Sequence, residues 1–153
     1  MKISRLIASR RSIRQFRPKP VSRDFLKDLV DAGRLAPSAA NLQPLEFLVV
    51  DDPAARAGLF PCLKWAAYIQ PDGDPKPGRE PAAYIIVLVN TKIRDKMFEY
   101  DVGAAVENMA LAAAGGGVAS CWLISIDRPK IQAFFGIPDH VRVDSVLALG
   151  YPA

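Results

Sequence analysis

Short apolar runs and longer periodic stretches alternate along this chain, and their spacing predicts its elements. Leu45-Glu46-Phe47-Leu48-Val49-Val50, Tyr84-Ile85-Ile86-Val87-Leu88-Val89, Val118 to Ser125 and Val143 to Leu149 read as four strands. The second run is apolar without a break, as expected in the middle of a sheet covered on both sides. Between the runs the period lengthens. Residues 3–9 predict a short helix with Ile3, Leu6 and Ile7 on one face, and Phe25, Leu26, Leu29 and Val30 form the stripe of a second, capped by Ser22 and stopped by Pro37. Residues 54–69 predict helix broken once near Pro61. From Val102 to about Ala114 only Glu107 and Asn108 interrupt the apolar surface, which predicts a central or interface helix with Asp101 as its cap. Asp127 is the expected cap of a last short helix ending at Phe135. Four strands among five or six helices predict one α/β domain over residues 1–153, its sheet covered by helices on both faces.

Composition adds limits. Of 153 residues, 50% are hydrophobic and 24% charged, which fits a globular domain with a real core. No apolar run approaches the ~20 residues of a membrane span, so no membrane partner is expected. The first residues lead into arginine-rich sequence instead of an apolar signal core. Cys62 and Cys121 lie far apart and form no CxxC, and we read them as reduced core thiols of a cytoplasmic protein. His140 is the only histidine, so a His-rich metal site and a two-histidine zinc motif are excluded. There is no G-x-G-x-x-G after a strand and no G-x-x-x-x-G-K-[ST]; any phosphate must be held by side chains.

Charge then picks out one stretch. From Met1 to Arg23 there are eight Lys or Arg and no acid, whereas the remaining 130 residues carry 12 basic against 16 acidic. Such an asymmetry fits a local anion site, with a solvated basic face or a nucleic-acid patch as the alternatives. A second stretch, Pro37-Ser38-Ala39-Ala40-Asn41-Leu42-Gln43-Pro44, consists largely of small and amide residues. It suits either a loop passing close to a planar ligand or a plain helix-to-strand connection. A third, Gln70 to Pro81, holds Pro71, Gly73, Pro75, Pro77 and Gly78 and predicts a mobile surface loop, by position the best candidate for a lid.

These stretches carry a resemblance. Arg10-Arg11-Ser12-Ile13-Arg14-Gln15-Phe16 and Ala36-Pro37-Ser38-Ala39-Ala40-Asn41-Leu42-Gln43-Pro44 resemble the two signature segments of the nitroreductase family of FMN-dependent oxidoreductases. Gly117-Val118-Ala119-Ser120-Cys121-Trp122 is similar to the segment leading into that family's flavin-edge strand, and Leu147-Ala148-Leu149-Gly150-Tyr151-Pro152 to its closing strand. The order matches over nearly the whole chain. The resemblance implies a nitroreductase-like fold with a mostly antiparallel sheet, and a homodimer with FMN at the subunit interface. By position, Arg10, Arg11 and Ser12 would hold the FMN phosphate and ribityl chain, and Arg14 the pyrimidine end of the ring. Pro37, Ser38 and Ala39 would come from the other subunit to cover the ring, with Asn41 and Gln43 as hydrogen-bond partners. Ile124 and Ser125 would offer backbone near flavin N5 and O4, and Lys64 would reach the pyrimidine edge.

The implied activity is reduction of nitroaromatic, quinone or related small-molecule acceptors by NAD(P)H through FMN, with no acid or base from the protein. Alternatives are an offshoot doing dehalogenation or dehydrogenation with the same flavin, or a non-catalytic flavin-binding or sensing module. A nucleic-acid binder has no need of the 37–44 loop, so no nucleic-acid partner is expected. Trp122 is expected in the core and Glu107 paired with a basic residue. Two departures stand out. Ala119 occupies a position where the family commonly has glycine. Family members also often continue into a C-terminal arm that adds a Lys or Arg to the phosphate site, whereas this sequence stops at Ala153. The N-terminal arginines are therefore expected to hold the phosphate without it, or to hold it more weakly.

Overall fold

A computed structural model describes residues 2–70 and 72–153. The elements run α1 (Ile3–Ser9), α2 (Arg23–Arg34), β1 (Leu45–Val50), α3 (Pro53–Leu59), β2 (Ala83–Asn90), α4 (Glu99–Gly115), β3 (Ala119–Leu123), α5 (Arg128–Phe135) and β4 (Val141–Gly150). The strands form one sheet in the order β1-β2-β4-β3, and every neighbouring pair is antiparallel. The four predicted strands, the antiparallel sheet and the covered faces are all present.

Strand β2 shows why its run is apolar throughout. Ile85, Val87 and Val89 face a core built with Leu26 and Leu29 of α2 and Val102, Val106 and Met109 of α4. Tyr84, Ile86 and Leu88 face the other core, with Leu59 of α3 and Ile131 of α5. Each face of one strand thus seeds one layer of helices. Burial of a large aliphatic side chain contributes about 1.5–3 kcal/mol, so the double coverage of β2 makes it the anchor of the fold. Helices α2 and α4 approach closely at Gly33, where an added Cβ would lie 3.0 Å from the Met109 side chain.

Ser22 caps α2 by accepting from Phe25 N–H at 3.3 Å, and Asp127 caps α5 by accepting from Lys130 N–H at 3.2 Å, both as predicted. Three expectations need correction. Residues 54–69 are not one broken helix: α3 stops at Leu59, and two short 3₁₀ turns follow, at Phe60–Cys62 and Ala67–Ile69. Helix α4 starts at Glu99, which moves Asp101 from the cap into the buried first turn. Trp122 lies on the sheet's edge strand and is 40% exposed, not packed in the core. The cysteines are free and buried, as expected. No helix among the described residues is long and apolar enough to cross a membrane.

Candidate functional site

The arginine cluster begins where α1 ends and runs into an extended strand, residues 12–17, laid along the sheet edge. Ser12 bridges Ser120 of β3, Ile13 N–H donates to Ser120 O at 3.0 Å, and Arg17 N–H donates to Tyr151 O at 2.8 Å. Phe16 is fully buried and holds the strand down. The Phe16 ring lies over Gly150, where an added Cβ would come within 2.8 Å of it. Arg10 and Arg11 line a cleft of about 260 Å³ together with Ile13, Ala114, Gly117, Val118, Ala119, Ser120 and Pro152, so most of its wall is uncharged and two guanidinium groups supply its positive charge.

The two rim arginines are held differently. Arg11 Nη1 donates to Ala8 O and Arg10 O, both at 2.8 Å, which folds the side chain back over the end of α1 and fixes its guanidinium. Arg10 lies 3.9 Å from Glu107 of α4, which gives that acid the basic partner the sequence predicted. This pair is partly exposed and contributes little to stability. Arg14 points inward beside the Cys121 thiol, and its Nε is buried with no acceptor among the described residues. Burial pushes the Cys121 thiol above its ordinary range, and the nearby Arg14 charge offsets part of that rise.

The Ile124–Ser125 segment lies beside Leu63–Lys64. Lys64 N–H donates to Ser125 O at 3.0 Å, and Leu63 bridges Ile126. Ile124 and Ser125 are exposed, and so is Lys64, so this part of the expected site is assembled within one chain.

The 37–43 loop is elsewhere. It sits at the start of α4, where Ala39 N–H donates to Asp101 Oδ1 at 3.1 Å, while Ala114 at the other end of the same helix lines the arginine cleft. At ~1.5 Å per residue the two ends are separated by about 20 Å. Within one chain Ser12 and Arg14 lie against β3, Ile124 and Ser125 follow that strand, and Pro37, Ser38, Ala39, Asn41 and Gln43 sit near the start of α4, about 20 Å from the helix end that borders Arg10 and Arg11. The loop is strained as well as exposed. Ala40, Asn41 and Gln43 all have positive φ, at 53°, 53° and 52°. Ser38 Oγ accepts from Gln43 N–H at 3.0 Å and closes the loop on itself. Non-glycine residues in this region cost of order 1 kcal/mol or more each and persist where surrounding contacts over-determine them.

Sequence reasoning missed Asp101 as the residue that holds this loop. Asp101 was visible just before the apolar run, but a cap is the commoner use of an acid in that position. The described residues of the 70–81 segment form a largely exposed loop, as expected, and the loop is bonded to the 12–17 segment at several points. Lys76 N–H and Asp74 O are both bonded to the Gln15 side chain, and Arg79 O accepts from Phe16 N–H at 2.9 Å.

The sequence matches the model of the Nitroreductase family over residues 7–151. A protein of Archaeoglobus fulgidus with the provisional name NADH dehydrogenase/NAD(P)H nitroreductase is 34% identical over 155 residues, covering 97% of this chain and 84% of that protein. The NADH dehydrogenase of Thermus thermophilus is 27% identical over 182 residues, covering 94% of this chain and 83% of that one. Among solved structures, a nitroreductase family protein of Clostridium novyi NT superposes with a TM-score of 0.84 at 24% identity, covering 100% of this chain and 86% of that one. An FMN-dependent nitroreductase of Clostridium difficile R20291 superposes at 0.80 and 22% identity, covering 96% and 86%. These two superpositions bear on the fold.

Proposed function

The chain belongs to the nitroreductase family, and from that membership we propose that it is an FMN-dependent, NAD(P)H-linked oxidoreductase acting on nitroaromatic, quinone or related acceptors. One observation carries the reading: Arg10 and Arg11 stand together at the rim of a cleft whose wall is otherwise mostly uncharged, and Arg14 follows inward with an unpaired buried Nε. A phosphate fits the rim, since guanidinium groups stay charged at any working pH and bind phosphate oxygens in a fork. Arg14, further along the same segment, would add a further positive charge close to that rim.

Transfer of two electrons from NAD(P)H to a small-molecule acceptor is chemistry that FMN supplies when bound. This chain's residues would position and tune. Arg10, Arg11 and Ser12 would hold the phosphate and ribityl chain. Arg14 would place positive charge at the pyrimidine end, where negative charge accumulates on reduction. Backbone at Ile124 and Ser125 would border the reacting edge, with Lys64 next to it. The family's implied homodimer would bring Pro37, Ser38, Ala39, Asn41 and Gln43 of a second copy to the other side of the ring. That arrangement answers the ~20 Å separation found within one chain.

Purified protein should be yellow, or become so on addition of FMN, and NADH or NADPH should bleach it under anaerobic conditions. A colourless preparation that takes up no FMN would overturn the reading, and a yellow protein that neither nucleotide bleaches would leave a passive flavin binder. Within the cluster, Arg11→Ala should weaken FMN binding at least tenfold, whereas Arg17→Ala and Lys19→Ala should change it less than twofold. Equal losses at all three positions would mean diffuse attraction with no phosphate cradle.

A further inference from the structure

The strand that carries Arg14 has two sides, and only one has been accounted for. On the sheet side it is held by Ser120, Tyr151 and Ala153, the last donating its N–H to Gln15 O at 3.1 Å. On the other side lies the segment 72–79. Gln15, half-buried and uncharged, meets that segment with both ends of its amide. Nε2 donates to Asp74 O at 2.8 Å, and Oε1 accepts from Lys76 N–H at 3.1 Å. One side chain thereby imitates a strand partner for two residues of loop backbone.

The strap is fastened at its other points too. Gln70 Nε2 donates to Asp74 Oδ1 at 3.0 Å, and Gly73 is buried so close to Ala66 that a Cβ would lie 2.5 Å from its carbonyl oxygen. Pro75 is buried as well. The chain leading into the strap passes Lys64, whose N–H is bonded to Ser125 O. Residues 72–79 bond the 12–17 segment through Asp74 and Lys76, which meet Gln15, and through Arg79 O, which accepts from Phe16 N–H. Among the described residues, Gln15 is the only side chain of the 12–17 segment bonded to the strap.

We propose that Gln15 is a positioning residue that latches the 72–79 strap to the Arg14 strand, so that ordering of the strap and occupation of the cofactor pocket are coupled. The proposal rests on the flavin reading for its second half and on the two amide hydrogen bonds for its first. Ligand that fixes Arg14 fixes the neighbouring residue, and a fixed Gln15 amide holds the strap. By linkage, a strap released from Gln15 lowers the affinity for the ligand by the same factor. The strap is then a wall set by cofactor binding. It is no freely moving lid.

Hydrogen exchange at single amides tests both halves on the intact protein. In ligand-free protein the Lys76 amide should exchange about tenfold faster in Gln15→Ala than in wild type, while core amides such as Ile86 stay unchanged and report an intact fold. Gln15→Glu keeps the acceptor for Lys76 N–H but loses the donor to Asp74 O, and should lie between the two. Saturating FMN should slow Lys76 exchange in wild type and leave it unslowed in Gln15→Ala, whose FMN dissociation constant should rise about three- to tenfold. Unchanged Lys76 exchange in ligand-free Gln15→Ala would overturn the latch. Slowing by FMN that persists in Gln15→Ala would overturn the coupling. A wild-type protein that binds no FMN would remove the flavin reading and the coupling together, while the ligand-free comparison would still decide the latch.

Discussion

Asp101 is 4% exposed in the first turn of a largely apolar helix, and only one of its carboxylate oxygens has a partner among the described residues. A buried carboxylate is costly to keep unless it holds something in place, and here it holds the backbone of Ala39. Asp101→Ala should therefore destabilise the protein by about 1–3 kcal/mol, read as a shift in denaturant midpoint, because the Ala39 N–H loses its acceptor. Asp101→Asn keeps an acceptor oxygen and should cost less. The buried thiols give a second prediction at this scale. Burial raises both Cys121 and Cys62 above their ordinary 9.0, and raises the Tyr84 phenol likewise. Above pH 9 the unfolded chain then releases protons that the folded chain retains. The folded state binds more protons, so stability must fall as pH rises through that range. Unfolding midpoints at pH 8 and pH 10 should show the loss, and Cys121→Ala should make it shallower.

At the scale of elements, the loop of residues 37–43 stores strain that can be measured. Ala40 has φ of 53° and no side-chain group to compensate. Ala40→Gly removes a cost of about 1–2 kcal/mol and adds about 0.5–1 kcal/mol of unfolded-state entropy. The net gain should raise the melting temperature by a few degrees. Asn41→Gly should gain less, since asparagine tolerates this conformation better. The same loop shows what the chain discloses and what it hides. Its composition marked it as special, yet positive φ at three non-glycine positions follows from closure by Ser38 and anchorage by Asp101, contacts between residues five and 62 positions apart. Strands β1, β2 and β4 were legible because a sheet covered on both faces demands short, nearly unbroken apolar runs. The anchorage of 70–81 was not, because proline and glycine describe a segment's own freedom and not the Gln15 amide waiting 61 positions upstream. Trp122 misled for a related reason: an apolar run specifies a strand but not whether that strand lies at the sheet's edge.

The whole molecule adds a constraint that no single residue carries. The arginine cleft and the 37–43 loop of the proposed cofactor site lie at opposite ends of α4, so the reading requires a second copy to complete each pocket. Apolar side chains stand exposed near the loop end of that helix, with Leu35 at 71% and Tyr100 at 74%. If these close the interface, assembly and cofactor binding are linked equilibria, and FMN affinity must depend on protein concentration. Diluting the protein through its dimer dissociation constant should weaken FMN binding, followed by flavin fluorescence alongside sedimentation. Leu35→Glu should shift both curves together, because a charge at a closing apolar surface is desolvated without a partner. The arginines are untouched in that variant, so a loss of FMN that tracks the dissociation curve at every protein concentration would trace to the missing copy. A variant that stayed monomeric yet bound FMN as tightly as wild type would show that one chain suffices, and the 37–43 loop would then need another role.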